Sequence, residues 1–218
     1  MRIKSLLVMF VLLSIYVFFI VVGIFTWRSC TILKNMLMLA RFEDVEQPFY
    51  KIKERVLQLI IENDGYIPVD PYLALIQSGK VKSFYEFWIE DGVITFDMEG
   101  LPVRINPDLK QNRKIILFWA RVPGEWRLVC YCDGTTEVWT KSGKWIEVDA
   151  GERTYRYVKG WKPPSDIDIR DEARQLLRKA GYPDWHWHSV EEKRQWIEEN
   201  KNRLIWDNTL RMYVVKGK

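Results

Sequence analysis

The sequence predicts an α+β fold: an N-terminal transmembrane helix continuing into an amphipathic helix that packs on an antiparallel β-meander, plus a small C-terminal helical appendage. Three observations predict it. Ser5 to Thr26 runs 22 residues without a charge. Apolar residues then recur at spacings of three and four, the period of one helix face. From Ser83 onward short apolar runs separated by Gly-containing turn pairs replace that period, as in a meander. The implied organisation is an anchor over 1–28, an α+β domain over 29–150, a linker over 151–164 and the appendage over 165–218.

The uncharged stretch is long enough, at about 1.5 Å per residue, to cross a hydrocarbon core of about 30 Å. It exceeds the roughly 7–15 apolar residues of a secretory signal, and no small-x-small cleavage site follows it. An uncleaved signal-anchor is therefore expected, with Trp27 and Arg28 at the interface. Arg2, Lys4 and the α-amino group crowd the short N-terminal tail, while Arg28, Lys34 and Arg41 are spread over the other side. The positive-inside rule then puts the body outside the cytoplasm, as a single-pass inner-membrane protein with a periplasmic or extracytoplasmic body. The expected partners are the lipid bilayer and other transmembrane helices, of its own kind or of a larger complex. Gly23 offers close helix approach, and Val17, Phe18, Val21 and Val22 offer bulky packing surface. No charge lies in the span to suggest an ion path.

Composition narrows the function. Of 218 residues 48% are hydrophobic and 28% charged, a globular balance. The net charge of +4 comes largely from Arg2, Lys4 and Arg28, since the first 28 positions contain no acid. The nearly neutral remainder lacks the clustered positive charge that nucleic acid demands. Three cysteines make no disulfide framework.

After the anchor, a helical stretch is expected over roughly 32–63. Phe42, Val45, Phe49, Ile52, Val56 and Leu59 form its apolar stripe, and Lys51, Lys53, Glu54, Arg55 and Glu62 occupy the remaining faces. Pro48 predicts a kink or a new helix start, and Asp64-Gly65 ends the run with glycine in the left-handed position. Asp70-Pro71 reads as an N-cap followed by proline at the first helical position, with Gly79 closing a short helix.

"GVITFDMEGLPVRI" (92–105) reads as two strands joined around Glu99-Gly100, and "RKIILFWARV" (113–122) as a third. Pro123-Gly124 suits a type II turn. "EWRLVCYC" and "TTEVWT" flank Asp133-Gly134, the signature of a type I′ hairpin, and Ser142-Gly143 makes the next tight turn into "KWIEVD".

Cys130 and Cys132 lie two apart on one strand and share a face with Trp126 and Leu128, opposite Val129 and Tyr131. Parallel neighbours have poor geometry for a mutual disulfide, so both read as small reduced hydrophobes beneath the helix. A metal site would need His186 and His188 as well, and that spacing is a weak signal beside paired CxxC.

Past the polar, proline-containing linker, Asp168 to Lys179 begins with acids and ends with Arg178 and Lys179, with Gly181 as terminator. Ser189 and Glu192 make a capping box for a second helix through about Arg203, with Trp196, Ile197, Asn200 and Leu204 on one side. The aromatics of "YPDWHWH" (182–188) are expected to pack between these helices. "WDNTLRMYVV" reads as a turn at Asp207-Asn208 and a final strand. Glu191, Glu192, Glu198 and Glu199 alternate with Lys193, Arg194 and Lys201 as a solvated face rather than as paired catalytic acids.

Anchor, amphipathic helix, connecting segment and meander, in that order, resemble the type IV pilin and type II secretion pseudopilin fold over roughly residues 1–149. "DGYIP" (64–68) is similar to the Gly-x-Tyr-Pro-like element of major pseudopilins, and "EGLPVRIN" (99–106) to the family's Gly-x-Pro strand entry. Asp133-Gly134 resembles the Asp-Gly hairpin of pilin-like proteins with a processing-associated C-terminal motif. No glycine precedes Ser5 and no acid precedes Glu43, so the prepilin-peptidase motif is not matched. "W-x-x-x-N-x-x-x-L-x-W-D" (196–207) looks like a segment of large bacterial repeat proteins. The resemblance implies a non-enzymatic, membrane-anchored structural or assembly protein of a bacterial secretion or surface system. The alternative is an accessory subunit stabilising a larger membrane complex, and a minor one is an anchored enzyme using Cys130, Cys132 or the two histidines. No nucleophile–base spacing, phosphate loop or cofactor motif marks a catalytic residue, a small-molecule substrate or a bound cofactor.

Overall fold

The computed structural model describes residues 46–89, 92–96, 103–122, 126–149, 154–184 and 189–217. The expected anchor, the first half of the amphipathic stretch, the Glu99-Gly100 and Pro123-Gly124 turns, and His186 and His188 lie outside these residues. Among the described residues no helix is long and apolar enough to cross a membrane.

The first described element, α1 (46–62), carries the predicted stripe, with Phe49, Ile52, Val56 and Leu59 all buried and Ile60 joining them. Burying such side chains contributes roughly 1.5–3 kcal/mol each. Pro48 lies in the first described turn of this helix. Gly65, at φ +84°, closes the helix by donating from its N–H to Ile60 O at 2.8 Å. A Cβ there would stand 2.1 Å from Ile105 O, so the position also needs glycine for close approach.

Helix α2 (Pro71–Gln77) is capped as predicted, with the Asp70 carboxylate accepting from Leu73 N at 2.9 Å. A 3₁₀ turn, Phe84–Phe87, leads into a two-residue pair, β1 (Trp88–Ile89) and β2 (Gly92–Val93). The main sheet is a six-stranded antiparallel meander in chain order. Its strands are β3 (Thr95–Phe96), β4 (Ile116–Val122), β5 (Trp126–Tyr131), β6 (Thr136–Thr140), β7 (Gly143–Asp149) and β8 (Thr154–Lys159). The α+β class and the antiparallel meander thus stand.

Several local expectations are corrected. Residues 103–105 add no strand to the sheet but clamp the end of α1, with Ile67 N bonded to Val103 O and Ile105 N to Gly65 O, both at 2.8 Å. The hairpin at Asp133-Gly134 is not type I′. Gly134 has φ +79° whereas Asp133 does not have positive φ. Gly134 N donates to Tyr131 O at 2.9 Å and Tyr131 N to Thr135 O at 3.0 Å, a type I turn with a glycine bulge. The following turn centres on Lys141-Ser142, one residue earlier than expected, because Thr140 pairs with Gly143. The stretch read as a linker carries β8, and its alternation of Tyr155 and Tyr157 with Arg156 and Val158 extends the sheet by one strand.

The last segment forms α3 (Asp166–Lys179), α4 (Val190–Asn200), a 3₁₀ turn (Lys201–Arg203) and a hairpin of β9 (Leu204–Asp207) with β10 (Met212–Val215). The hairpin replaces the single final strand that was expected. Both helices open with full capping boxes, Ser165 with Asp168 and Ser189 with Glu192. Val215 N donates to Ala180 O, and Arg113 N to Arg211 O, which ties the hairpin to α3 and to the start of β4. Tyr182 is buried against Trp196, 5.6 Å between ring centroids. These elements belong to the same compact unit as the sheet.

The sheet is covered on both faces. Phe49 of α1 meets Phe118 of β4 with ring centroids 5.2 Å apart. On the other face Trp119, Val129, Tyr131 and Trp139 pack with Ile169 of α3 into one apolar cluster.

Candidate functional site

Every residue of β6 is buried, because each face of that strand lies under a helix. Thr136, Val138 and Thr140 point toward α1. Glu137 and Trp139 point toward α3, and this alternation places a fully buried carboxylate on an otherwise aromatic face. An isolated buried charge is very costly, so the site must compensate it.

Four side chains do so. Lys114 Nζ donates to Glu137 Oε1 at 2.6 Å, and Lys144 Nζ lies 3.1 and 3.0 Å from the two oxygens. Tyr131 OH and Trp139 Nε1 each donate to Oε2 at 2.8 Å. Each partner arrives by strand register. Ile116 pairs with Tyr131, which sets Lys114 just beyond the end of β4, and Trp139 pairs with Lys144 across the β6–β7 hairpin. The ammonium groups also lie over aromatic rings, Lys114 over Tyr131 at 4.6 Å and Lys144 over Trp161 at 4.8 Å.

Burial alone would raise the Glu137 carboxyl. The hydrogen bonds from Lys114, Trp139 and Tyr131 and the Lys114 charge outweigh that effect and hold it below its ordinary range. Burial, reinforced by the Glu137 charge, pushes the Tyr131 phenol upward and keeps it protonated as a donor. A carboxylate occupied by so many donors is a fixed anion rather than a proton acceptor. Its chemistry is to position two lysines.

Those lysines stand at a cleft of about 450 Å³ between the sheet and α3. One wall is Tyr131, Trp139 and Trp161, and the opposite wall is Ile169, Ala173 and Leu176. Trp139 and Trp161 meet at 4.9 Å with their planes tilted by 55°.

A second buried network occupies the α1 face. Lys53 Nζ donates to Thr136 Oγ1 at 2.8 Å and to Glu147 Oε2 at 3.2 Å. Tyr50 OH and Tyr155 OH lie against each other, Tyr50 OH stands 3.1 Å from Glu147 Oε1 and Tyr155 OH 3.1 Å from Glu46 Oε1, so the two phenol protons are shared along this row of oxygens. Lys53 is therefore not on the outer surface of its helix, as its polarity suggested. It is buried and ion-paired to the sheet.

Cys130 and Cys132 are free and buried, and Cys130 shares the α1 face with Thr136. Burial, only partly offset by the nearby Lys53 charge, pushes the Cys130 thiol up to about 12. Among the described residues no group of three His, Cys, Asp or Glu side chains could hold a metal ion. Glu191, Glu192, Glu198 and Glu199 are exposed on α4, with Glu192 in its capping box and Glu198 paired to Lys201 at 2.7 Å. Sequence reasoning missed Glu137, Lys114 and Lys144. The available signal was "TEVWT", where a carboxylate and a tryptophan share one face of a strand whose flanking segments are apolar and aromatic.

No protein-family model matches the chain, and no curated protein or solved structure is significantly similar to it.

Proposed function

We propose that this chain is a non-enzymatic, single-pass membrane-anchored structural or assembly protein of a bacterial secretion or surface system, with its body outside the cytoplasm. The observation that carries the reading is α1, whose stripe of Phe49, Ile52, Val56 and Leu59 is buried on an antiparallel meander. In the sequence that helix follows an uncharged segment of 22 residues, the order of elements that the pilin-like resemblance implies. The thiols and buried carboxylates are consistent with it, since each carboxylate is occupied by lysine and phenol donors and Cys130 is held as a thiol. A second reading, an accessory subunit of a larger membrane complex, is favoured by α3. This helix covers the sheet face opposite α1, leaving strand edges and loops for contact.

Both readings predict that the anchor is retained among other transmembrane helices. Cross-linking through Cys30 in native membranes, followed by intact-mass analysis, tests this. Capture of copies of the same chain supports the assembly protein, and capture of a different membrane protein supports the accessory subunit. A mature mass beginning after Thr26, or no captured neighbour, overturns both.

A further inference from the structure

We propose that the cleft between α3 and the sheet is a binding site for a small organic acid, a carboxylate carried on an aromatic or similarly flat apolar body. The inference stands apart from membrane anchoring, because every residue it uses lies in the sheet, in α3, in the segment between them or, for Lys114, two residues ahead of β4.

Three observations carry it. First, the charge at the cleft floor does not cancel: two ammonium groups, Lys114 and Lys144, converge on the single carboxylate of Glu137. The local excess is one positive charge, centred on a carboxylate with no solvent exposure, with Lys144 largely covered and Lys114 reaching in from the open side. Second, each ammonium has three donors, and the geometry directs no more than two contacts from either to Glu137. A second carboxylate entering beside Glu137 would complete the shells of both lysines with charge-assisted bonds. Third, the volume of about 450 Å³ lies within the usual range for small-ligand sites, and its walls are aromatic on one side and aliphatic on the other. Exposed Lys162 and Glu172 at the rim are of opposite sign and leave the excess unchanged.

The same arrangement argues against a cationic ligand. Aromatic walls and a buried carboxylate would ordinarily suit an ammonium compound, but Glu137 is already saturated by two cations that would repel a third. Glu137 thus acts as an internal counter-ion that fixes the lysines, and the ligand supplies the missing negative charge.

The test uses the full-length chain in nanodiscs of zwitterionic lipid, titrated calorimetrically with 3-phenylpropionate. The indole N–H resonance of Trp139 is followed in parallel. Controls are the neutral 3-phenylpropionamide and the phenethyltrimethylammonium cation. The expected result is saturable binding of the carboxylate with a shifted Trp139 resonance, and binding of amide and cation weaker by about tenfold or more. Lys144→Met is expected to reduce carboxylate affinity by a similar factor while far-UV circular dichroism is unchanged. Should that variant fail to fold, Lys114→Gln supplies the same comparison, since Lys114 is the more exposed of the two. Absence of saturable binding, equal affinity for the amide, preference for the cation, or unchanged affinity in the folded lysine variant would each overturn the proposal.

Discussion

Glu137 has no solvent exposure and accepts hydrogen bonds from two lysines, a tyrosine and a tryptophan. Its folded-state pKa is lowered from an ordinary 4.5, so the stability it contributes is fully present above that pH and is lost as pH falls through the lowered value. Glu137→Gln is therefore expected to destabilise the protein at neutral pH by on the order of 3 kcal/mol, since it leaves two lysines facing a neutral amide. It should also flatten the acid limb, which urea midpoints measured from about pH 6 down to about pH 3 would reveal. An acid limb identical to wild type would assign that sensitivity to other carboxylates, such as the exposed, hydrogen-bonded Asp168. Cys130 poses the opposite problem, a polarisable group that gains nothing from ionising in its site. With its thiol pushed up to about 12 by burial, Cys130 should resist iodoacetamide at neutral pH until the protein unfolds. Peptide mapping of labelled native and denatured protein reads this directly.

At the scale of elements, α1 is fixed twice, by an apolar stripe and by one buried ion pair. Ile52 is 1% exposed on the stripe, so Ile52→Glu places an unpartnered carboxylate in the core and should abolish the folded state, seen as loss of a cooperative urea transition. A soluble, cooperatively folding variant would contradict this packing. The ion pair behaves differently. Lys53→Met leaves Glu147 with its hydrogen bonds from Tyr50 and Thr136 but without its cation, and should cost about 3–5 kcal/mol. Adding Glu147→Gln should recover part of that loss, a coupling that a double-mutant cycle measures. The stripe was legible because helical periodicity reports a residue's angular position. The place of Lys53 was not. Its angular position borders the stripe, and only Glu147 and Thr136, more than eighty residues later in the chain, make an ammonium acceptable there. Turns divided in the same way. Asp133-Gly134 announced a hairpin, but whether one or both residues took positive φ depended on the register between β5 and β6.

At the scale of the whole molecule, the sheet is a shared middle layer, and the C-terminal segment completes it. Ile169, Ala173 and Leu177 of α3 are buried, and Ile169 packs with Trp119, Val129 and Trp139. A chain ending at Pro164 would expose that aromatic face. It should aggregate or bind a hydrophobic dye, whereas a fold complete at the end of the meander would stay monomeric by light scattering. Local sequence determined a good deal by itself: the capping box of α4, the glycine that ends α1, the cap of α2 and the short apolar runs of β4 through β7. Each depends on residues within a turn or two of one another, where steric and hydrogen-bonding rules act without knowledge of the rest of the chain. Tertiary structure alone decided which helix covers which face of the sheet. It also drew the 154–159 segment in as a sixth strand and brought Lys114 and Lys144 together on Glu137. Those outcomes turn on pairing registers between distant strands and on the cost of burying a charge, which is met only when the whole set of partners has assembled.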